Sequence, residues 1–243
     1  MSMSNHNQGG RKAVIILSGG LDSTTCMGIA QAKGYKLYPI TFDYGQRHRI
    51  ELDNARAVAE HYGAQGRHKV IQLGFLKEFG GSALTDDSIA VPDTTKAAEH
   101  TAQPESDIPV TYVPGRNLLF LSIATSYAEA IGAEAIFIGV NALDYSGYPD
   151  CRPEFIRKVE EVMAVATRVG VEGGPIRIET PLTEWTKAEI IRQGNMLQVP
   201  YHLTTSCYNG QAEACGVCDS CRLRLKGFAE AGSADPIAYR ARH

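Results

Sequence analysis

Short apolar runs alternate along this chain with mixed stretches of helical length. Residues 13–17, AVIIL, form a continuous apolar run that ends in a glycine-rich turn, the pattern of a strand buried on both faces. A helix is predicted from about Asp22 to Lys33, stopped at Gly34. Residues 37–42 read as a second strand, 49–62 as a helix ended by Gly63, and 68–73 as a third strand. Order resumes after a polar stretch with a helix over about 117–131 and a fourth strand over 133–140. A helix near 153–169 and a fifth strand at 176–182 follow. The segment 186–194 reads as a helix because Thr186 and Glu189 have capping-box spacing. A last helix starts near a cysteine cluster at 207–221.

Alternating strands and helices predict an α/β fold: a doubly wound, mainly parallel five-stranded sheet with helices on both faces. Ligands of such folds bind at the carboxyl ends of the strands. A small C-terminal metal-binding region is added to it. Residues 1–12 are expected to be a disordered polar tail, 13–195 the α/β domain and 196–243 a helical zinc-binding region. Within the domain, residues 80–108 carry scattered Pro, Ser, Thr and acidic positions, which predicts a mobile insertion, either a lid or a tolerated surface loop. No internal repeat is present.

Composition changes this picture only by exclusion. The 243 residues are 44% hydrophobic and 21% charged, enough apolar material for a core and too much for a disordered chain. The formal charge of -3 argues against broad phosphate-driven binding to nucleic acid. No apolar run approaches the ~18 residues that span a bilayer, and the polar start lacks the core of a signal peptide. A soluble, cytoplasmic protein without nucleic-acid or membrane partners is expected.

Candidate chemistry begins at Ser18-Gly19-Gly20-Leu21-Asp22-Ser23, with Thr24 and Thr25 behind it, directly after the first strand. Glycines let the backbone turn tightly and approach an anion, and the free amides of a helix start, with the hydroxyls, can hold phosphate oxygens. Asp22 is unusual in an anion nest; it either caps the helix or faces a metal ion that neutralises the phosphates. A Walker A loop is excluded because no Gly-Lys-Ser/Thr follows, and the dinucleotide fingerprint is absent too.

Cys207, Cys215, Cys218 and Cys221 supply four thiolates, enough for a closed tetrahedral Zn²⁺ without an open catalytic position. Gly210, Gly216 and Asp219 provide the turns. Redox Cys-x-x-Cys chemistry and an iron–sulfur cluster are weaker readings of the same ligands. Arg222, Arg224 and Lys226 read as a solvated helix face. Lys187 sits at a helix start, where its charge opposes the dipole unless an anion is near, so it is a candidate phosphate contact.

The Ser-Gly-Gly-x-Asp-Ser loop resembles the pyrophosphate loop (PP-loop) of the N-type ATP pyrophosphatases, whose fold is that of the adenine nucleotide alpha hydrolases. LSGGLDSTT at 17–25, FDYGQRHR at 42–49, VPGRN at 113–117, GVNALDYSGYPDCRPEF at 139–155 and the cysteine segment at 206–224 together resemble the 7-cyano-7-deazaguanine synthase family of the queuosine pathway. The resemblance spans about residues 13–226. It implies a carbon–nitrogen ligase that converts 7-carboxy-7-deazaguanine, ammonia and ATP into the nitrile through two adenylations, with Mg²⁺, one structural Zn²⁺ and a homodimeric assembly.

It further implies Ser18, Asp22, Ser23 and Lys187 as catalytic residues. Nucleotide contacts are expected from Leu17, Ser18, Gly19, Gly20, Leu21, Asp22, Ser23, Thr24, Thr25, Cys26 and Met27, with Cys26 a small buried hydrophobe, and from Arg47 and His48. Substrate contacts are expected from Arg116, Asn117, Asp144, Tyr145, Ser146, Tyr148 and Asp150, although Asn117 can instead cap its helix. Cys151 is given no nucleophilic role. The competing readings are another PP-loop enzyme, such as a tRNA thiolase, and a non-catalytic ATP-sensing zinc adaptor. A glutamine-dependent amidotransferase is not expected, since it needs a glutaminase domain for which 243 residues leave no room.

Overall fold

The structure, a computed structural model, describes residues 10–45, 50–86, 88–92, 108–143, 147–209 and 213–240. Its centre is a five-stranded sheet of order β3-β2-β1-β4-β5, formed by β1 (Lys12–Ile16), β2 (Lys36–Asp43), β3 (Lys69–Gln72), β4 (Ala135–Phe137) and β5 (Arg177–Glu179). Every pairing is parallel; Val14 lies opposite Tyr38 on one side and Ile136 on the other. The chain builds outward from β1 to β3, then crosses back to place β4 on the opposite side of β1. That reversal opens a crevice between the ends of β1 and β4.

Alternation along each strand distributes its side chains between two cores. Ala13, Ile15 and Leu17 point toward α1 (Leu21–Ala32), α2 (Ile50–His61), α7 (Lys187–Met196) and α8 (Asp219–Ala231). Val14 and Ile16 point to the other face, against α4 (Arg116–Ile131) and α5 (Pro153–Ala166). Two short helices complete the set, α3 (Phe75–Phe79) and α6 (Arg168–Val171). Each Leu or Ile filling these cores contributes enough that truncation to Ala costs about 2–5 kcal/mol.

Several expected boundaries move for identifiable reasons. The fourth strand is three residues long, not eight: Ile138 and Val140 are buried but line the crevice and do not extend the pairing with β1. The helix expected over 153–169 breaks at Thr167, whose extended backbone lets its hydroxyl accept from the Gly170 amide and start α6. The capping box at Thr186 and Glu189 forms in full at the start of α7. Lys12 belongs to β1 and not to a polar tail. Of the stretch 80–108, expected to be mobile, Ser82, Ala83, Leu84 and Thr85 are buried, and the Ala83 amide donates to Val110. Residues 87 and 93–107 lie outside the described ones. Among the described residues, no helix is long and apolar enough to cross a membrane.

Candidate active site and metal centre

The turn after β1 meets the crevice end on. Gly19 adopts φ +82, and a Cβ there would stand 2.4 Å from the Glu51 carbonyl oxygen, so both conformation and the approach of α2 require glycine. Gly20 is the N-cap of α1 and has no side chain to cap it. The first-turn amides are therefore left for an external acceptor, the arrangement that binds phosphate. Ser18 and Ser23 brace the turn: their hydroxyls lie 3.0 Å apart, and the Ser18 amide donates to Ser23 Oγ at 3.1 Å.

Asp22 does not cap α1; its carboxylate is paired. Lys187, at the first position of α7, donates to both its carboxylate oxygens at 2.8 Å. The pair joins residues 165 positions apart and is largely withdrawn from water, with side-chain exposures of 9% for Lys187 and 22% for Asp22. Asn141, 1% exposed, anchors the segment leading into α7 by donating to the carbonyls of Leu182 and Trp185. From the C-terminal side, the Thr205 amide donates to the Gly19 carbonyl at 3.1 Å.

Leu17, Ser18, Gly20, Leu21, Asp22 and Ser23 line the resulting cavity. Thr24, Thr25, Cys26 and Met27, expected to contact nucleotide, are fully buried in the core and do not line the cavity. The opposite wall is half aromatic: Phe42 stacks on Phe120 with centroids 4.1 Å apart, and Tyr44, Tyr148 and Tyr208 join them. Arg116 and Asn117 reach it from the start of α4, with Arg116 Nη1 donating to the Tyr44 hydroxyl at 3.4 Å. Asn117 does not cap α4, where Gly115 is the N-cap; its side-chain amide donates to the Asp150 carbonyl, while the Asp150 carboxylate accepts from the Asn117 backbone amide. Tyr148 is placed in the wall; Arg47, His48, Asp144, Tyr145 and Ser146 lie outside the described residues.

Glu51, Asn141, Thr205 and Tyr208 carry parts of this site that the sequence reading did not single out. Glu51 lines the cavity, and desolvation raises its carboxyl to about 7 against the opposing pull of Arg116. Burial likewise pushes the Cys151 thiol up to about 12, so at neutral pH it is a protonated wall residue.

The four cysteines converge as their spacing suggests. Their sulfurs lie within 4.8 Å of one another. Cys215 and Cys221 are 3.9 Å apart, close to the about 3.8 Å that a tetrahedron of metal–sulfur bonds gives. Backbone amides of Asn209 and Cys215 point at the Cys207 sulfur, and those of Val217 and Cys218 at Cys215. Left to themselves, the Cys218 and Cys221 thiols donate to Cys207 and lower its pKa, and those same contacts push their own ionisation up. A shared cation removes that conflict by favouring all four thiolates. Donor set and geometry fit a structural metal ion held by four thiolates with no open position.

The neighbouring basic residues are not one solvated face. Arg224 is 1% exposed and donates to both oxygens of Asp235, at 2.8 and 2.9 Å, and to Thr204 Oγ1 at 2.8 Å. Tyr239 donates to the same carboxylate, and a bridge pairs it with Ala214 beside the cysteines.

A parallel doubly wound sheet, a helix start with uncapped amides at its reversal and four converging cysteines define an α/β protein with a crevice at its switch point and a metal-type site beside it. The chain belongs to the family of queuosine biosynthesis protein QueC, whose family model matches residues 12–232. It is 57% identical over 230 residues to the 7-cyano-7-deazaguanine synthase of Oceanobacillus iheyensis, covering 95% of this chain and 99% of that one. The enzyme of the same name from Saccharophagus degradans is 58% identical over 231 residues, covering 94% of this chain and 98% of that one.

Proposed function

We propose that the chain is an ATP-dependent ligase that converts 7-carboxy-7-deazaguanine and ammonia into 7-cyano-7-deazaguanine, releasing AMP and pyrophosphate. The observation that carries this reading is the opening of an uncapped, hydroxyl-braced helix start into an aromatic-walled cavity. The names of the relatives supply the product, 7-cyano-7-deazaguanine.

A carboxylate resists attack by ammonia because its oxygen leaves poorly. Attack of that oxygen on the α-phosphorus of ATP expels pyrophosphate and makes the oxygen part of a mixed acyl-phosphate anhydride, from which ammonia displaces AMP to give an amide. A second adenylation of the amide oxygen lets the nitrile form. The amides of Leu21, Asp22 and Ser23 would hold the departing pyrophosphate, and Lys187 keeps the Asp22 charge from opposing it. Mg²⁺ is proposed to arrive on the ATP phosphates and neutralise charge there, since the loop's own carboxylate is already engaged. Zn²⁺ is proposed as the ion of the cysteine site. A sulfur-transferring alternative needs a reactive thiol, and the two cysteines outside the cluster, Cys26 and Cys151, are both buried with raised pKa.

Incubation with ATP, Mg²⁺, ammonium and 7-carboxy-7-deazaguanine, read by mass spectrometry, tests the assignment. Nitrile with AMP is expected; ATP consumption indifferent to the deazaguanine acid would overturn it.

A further inference from the structure

Amidation and dehydration both release protons. Forming the amide makes a C–N bond and breaks the C–O bond to AMP, whose oxygen keeps the electron pair; one surplus N–H proton must go elsewhere. Loss of AMP from the adenylated imidate to give the nitrile releases one N–H proton again. Two carboxylates among the described residues line the cavity, Asp22 and Glu51. Asp22 is held at both oxygens by Lys187.

Resting on the ligase reading above, we propose that Glu51 is the proton acceptor of the nitrogen-transfer steps, taking the N–H proton as AMP departs. Its placement carries the argument. The Glu51 carbonyl packs directly under Gly19, Glu51 lines the cavity there, and its carboxyl feels the charge of Arg116, another lining residue, so the group sits beside the loop where the acyl group must meet the α-phosphorus. Its carboxylate accepts no hydrogen bond from a described side chain or backbone amide, and it is half-buried at the cavity wall. Among the described residues, Arg116 from α4 and the Tyr44 hydroxyl just after β2 are the titratable groups that act on it; Asp22 and Lys187 stand on the loop side, and Tyr148 and Cys151 also line the cavity. Desolvation outweighs the pull of Arg116 and leaves the group titrating about 7, where a carboxylate can both take and release a proton at working pH.

The test separates adenylation from nitrogen transfer. ATP–pyrophosphate exchange with 7-carboxy-7-deazaguanine, without ammonia, reads the first; amide and nitrile formation at saturating ammonium reads the second. In Glu51→Gln, exchange is expected to persist within about threefold, while nitrogen transfer falls about 100-fold or more. The wild-type rate is expected to drop as pH falls through about 7, and that acid limb should vanish in Glu51→Gln and survive, at lower rate, in Glu51→Asp. Retained nitrogen transfer with an unchanged pH profile overturns the proposal. Equal loss of exchange and transfer also overturns it and makes Glu51 a substrate-binding residue. If Glu51→Gln does not fold, Glu51→Asp decides by the same comparison. Absence of exchange in the wild-type protein refutes the ligase reading itself, an outcome recognisable before any variant is made.

Discussion

Asp22 and Lys187 show how a side chain's role depends on a partner distant in sequence. A lysine at a helix start opposes the dipole by a few tenths of a kcal/mol up to about 1 kcal/mol, yet Lys187 is held there by two 2.8 Å bonds. Removing it leaves Asp22 charged beside the phosphate loop. Lys187→Met is therefore expected to abolish turnover and lower stability, whereas Asp22→Asn combined with Lys187→Met should cost less than the sum of the single changes. Urea unfolding of all four proteins checks this, with a coupling of at least about 1 kcal/mol expected. Glu51 gives a second prediction, opposite in sign to the usual carboxylate. Its folded pKa of about 7 lies above the ordinary value of 4.5, so the folded state holds the proton more tightly between those limits and loses stability as pH rises through them. Glu51→Gln should accordingly raise the melting temperature relative to wild type at pH 8 more than at pH 5.

Elements were legible where burial and pairing coincide, as at 13–17 and 37–42. They were misjudged where the two part company: Ile138 and Val140 are apolar because they wall a cavity, and hydrophobicity reports burial without saying what covers it. The phosphate loop was readable because glycines and hydroxyls are dense within six residues. Glu51, Asn141 and Arg224 were not, because a polar residue on a helix or loop reads as solvated until its packing is known. The packing of α7 provides a test at this scale. A Cβ on Gly194 would stand 1.7 Å from the Tyr201 hydroxyl, which itself lies 2.9 Å from Thr25 Oγ1 in α1. Gly194→Ala should destabilise the protein by about 1–3 kcal/mol in denaturant unfolding, and Tyr201→Phe in the same chain should recover part of that loss.

At the scale of the molecule, the metal site and the phosphate loop form one mechanical unit. Thr204 receives Arg224, Thr205 donates to Gly19, and Cys207 follows two residues on. Metal extraction by a chelator should lower the melting temperature and weaken ATP binding together, read by calorimetry on the same sample. Asp235→Ala strands the buried Arg224 charge and should cost about 3–5 kcal/mol in urea unfolding.

The Gly19–Thr205 contact also bears on how the molecule is made. A ribosome delivers the phosphate loop early, and 186 positions separate Gly19 from the amide that buttresses it. Until Lys187 emerges, the growing chain carries Asp22 without its counter-charge beside an anion nest. If the loop holds nucleotide as proposed, a chain ending before Lys187 is expected to bind ATP more weakly than the full-length chain, because the late-made quarter supplies both the buttress and the counter-charge of the early-made loop.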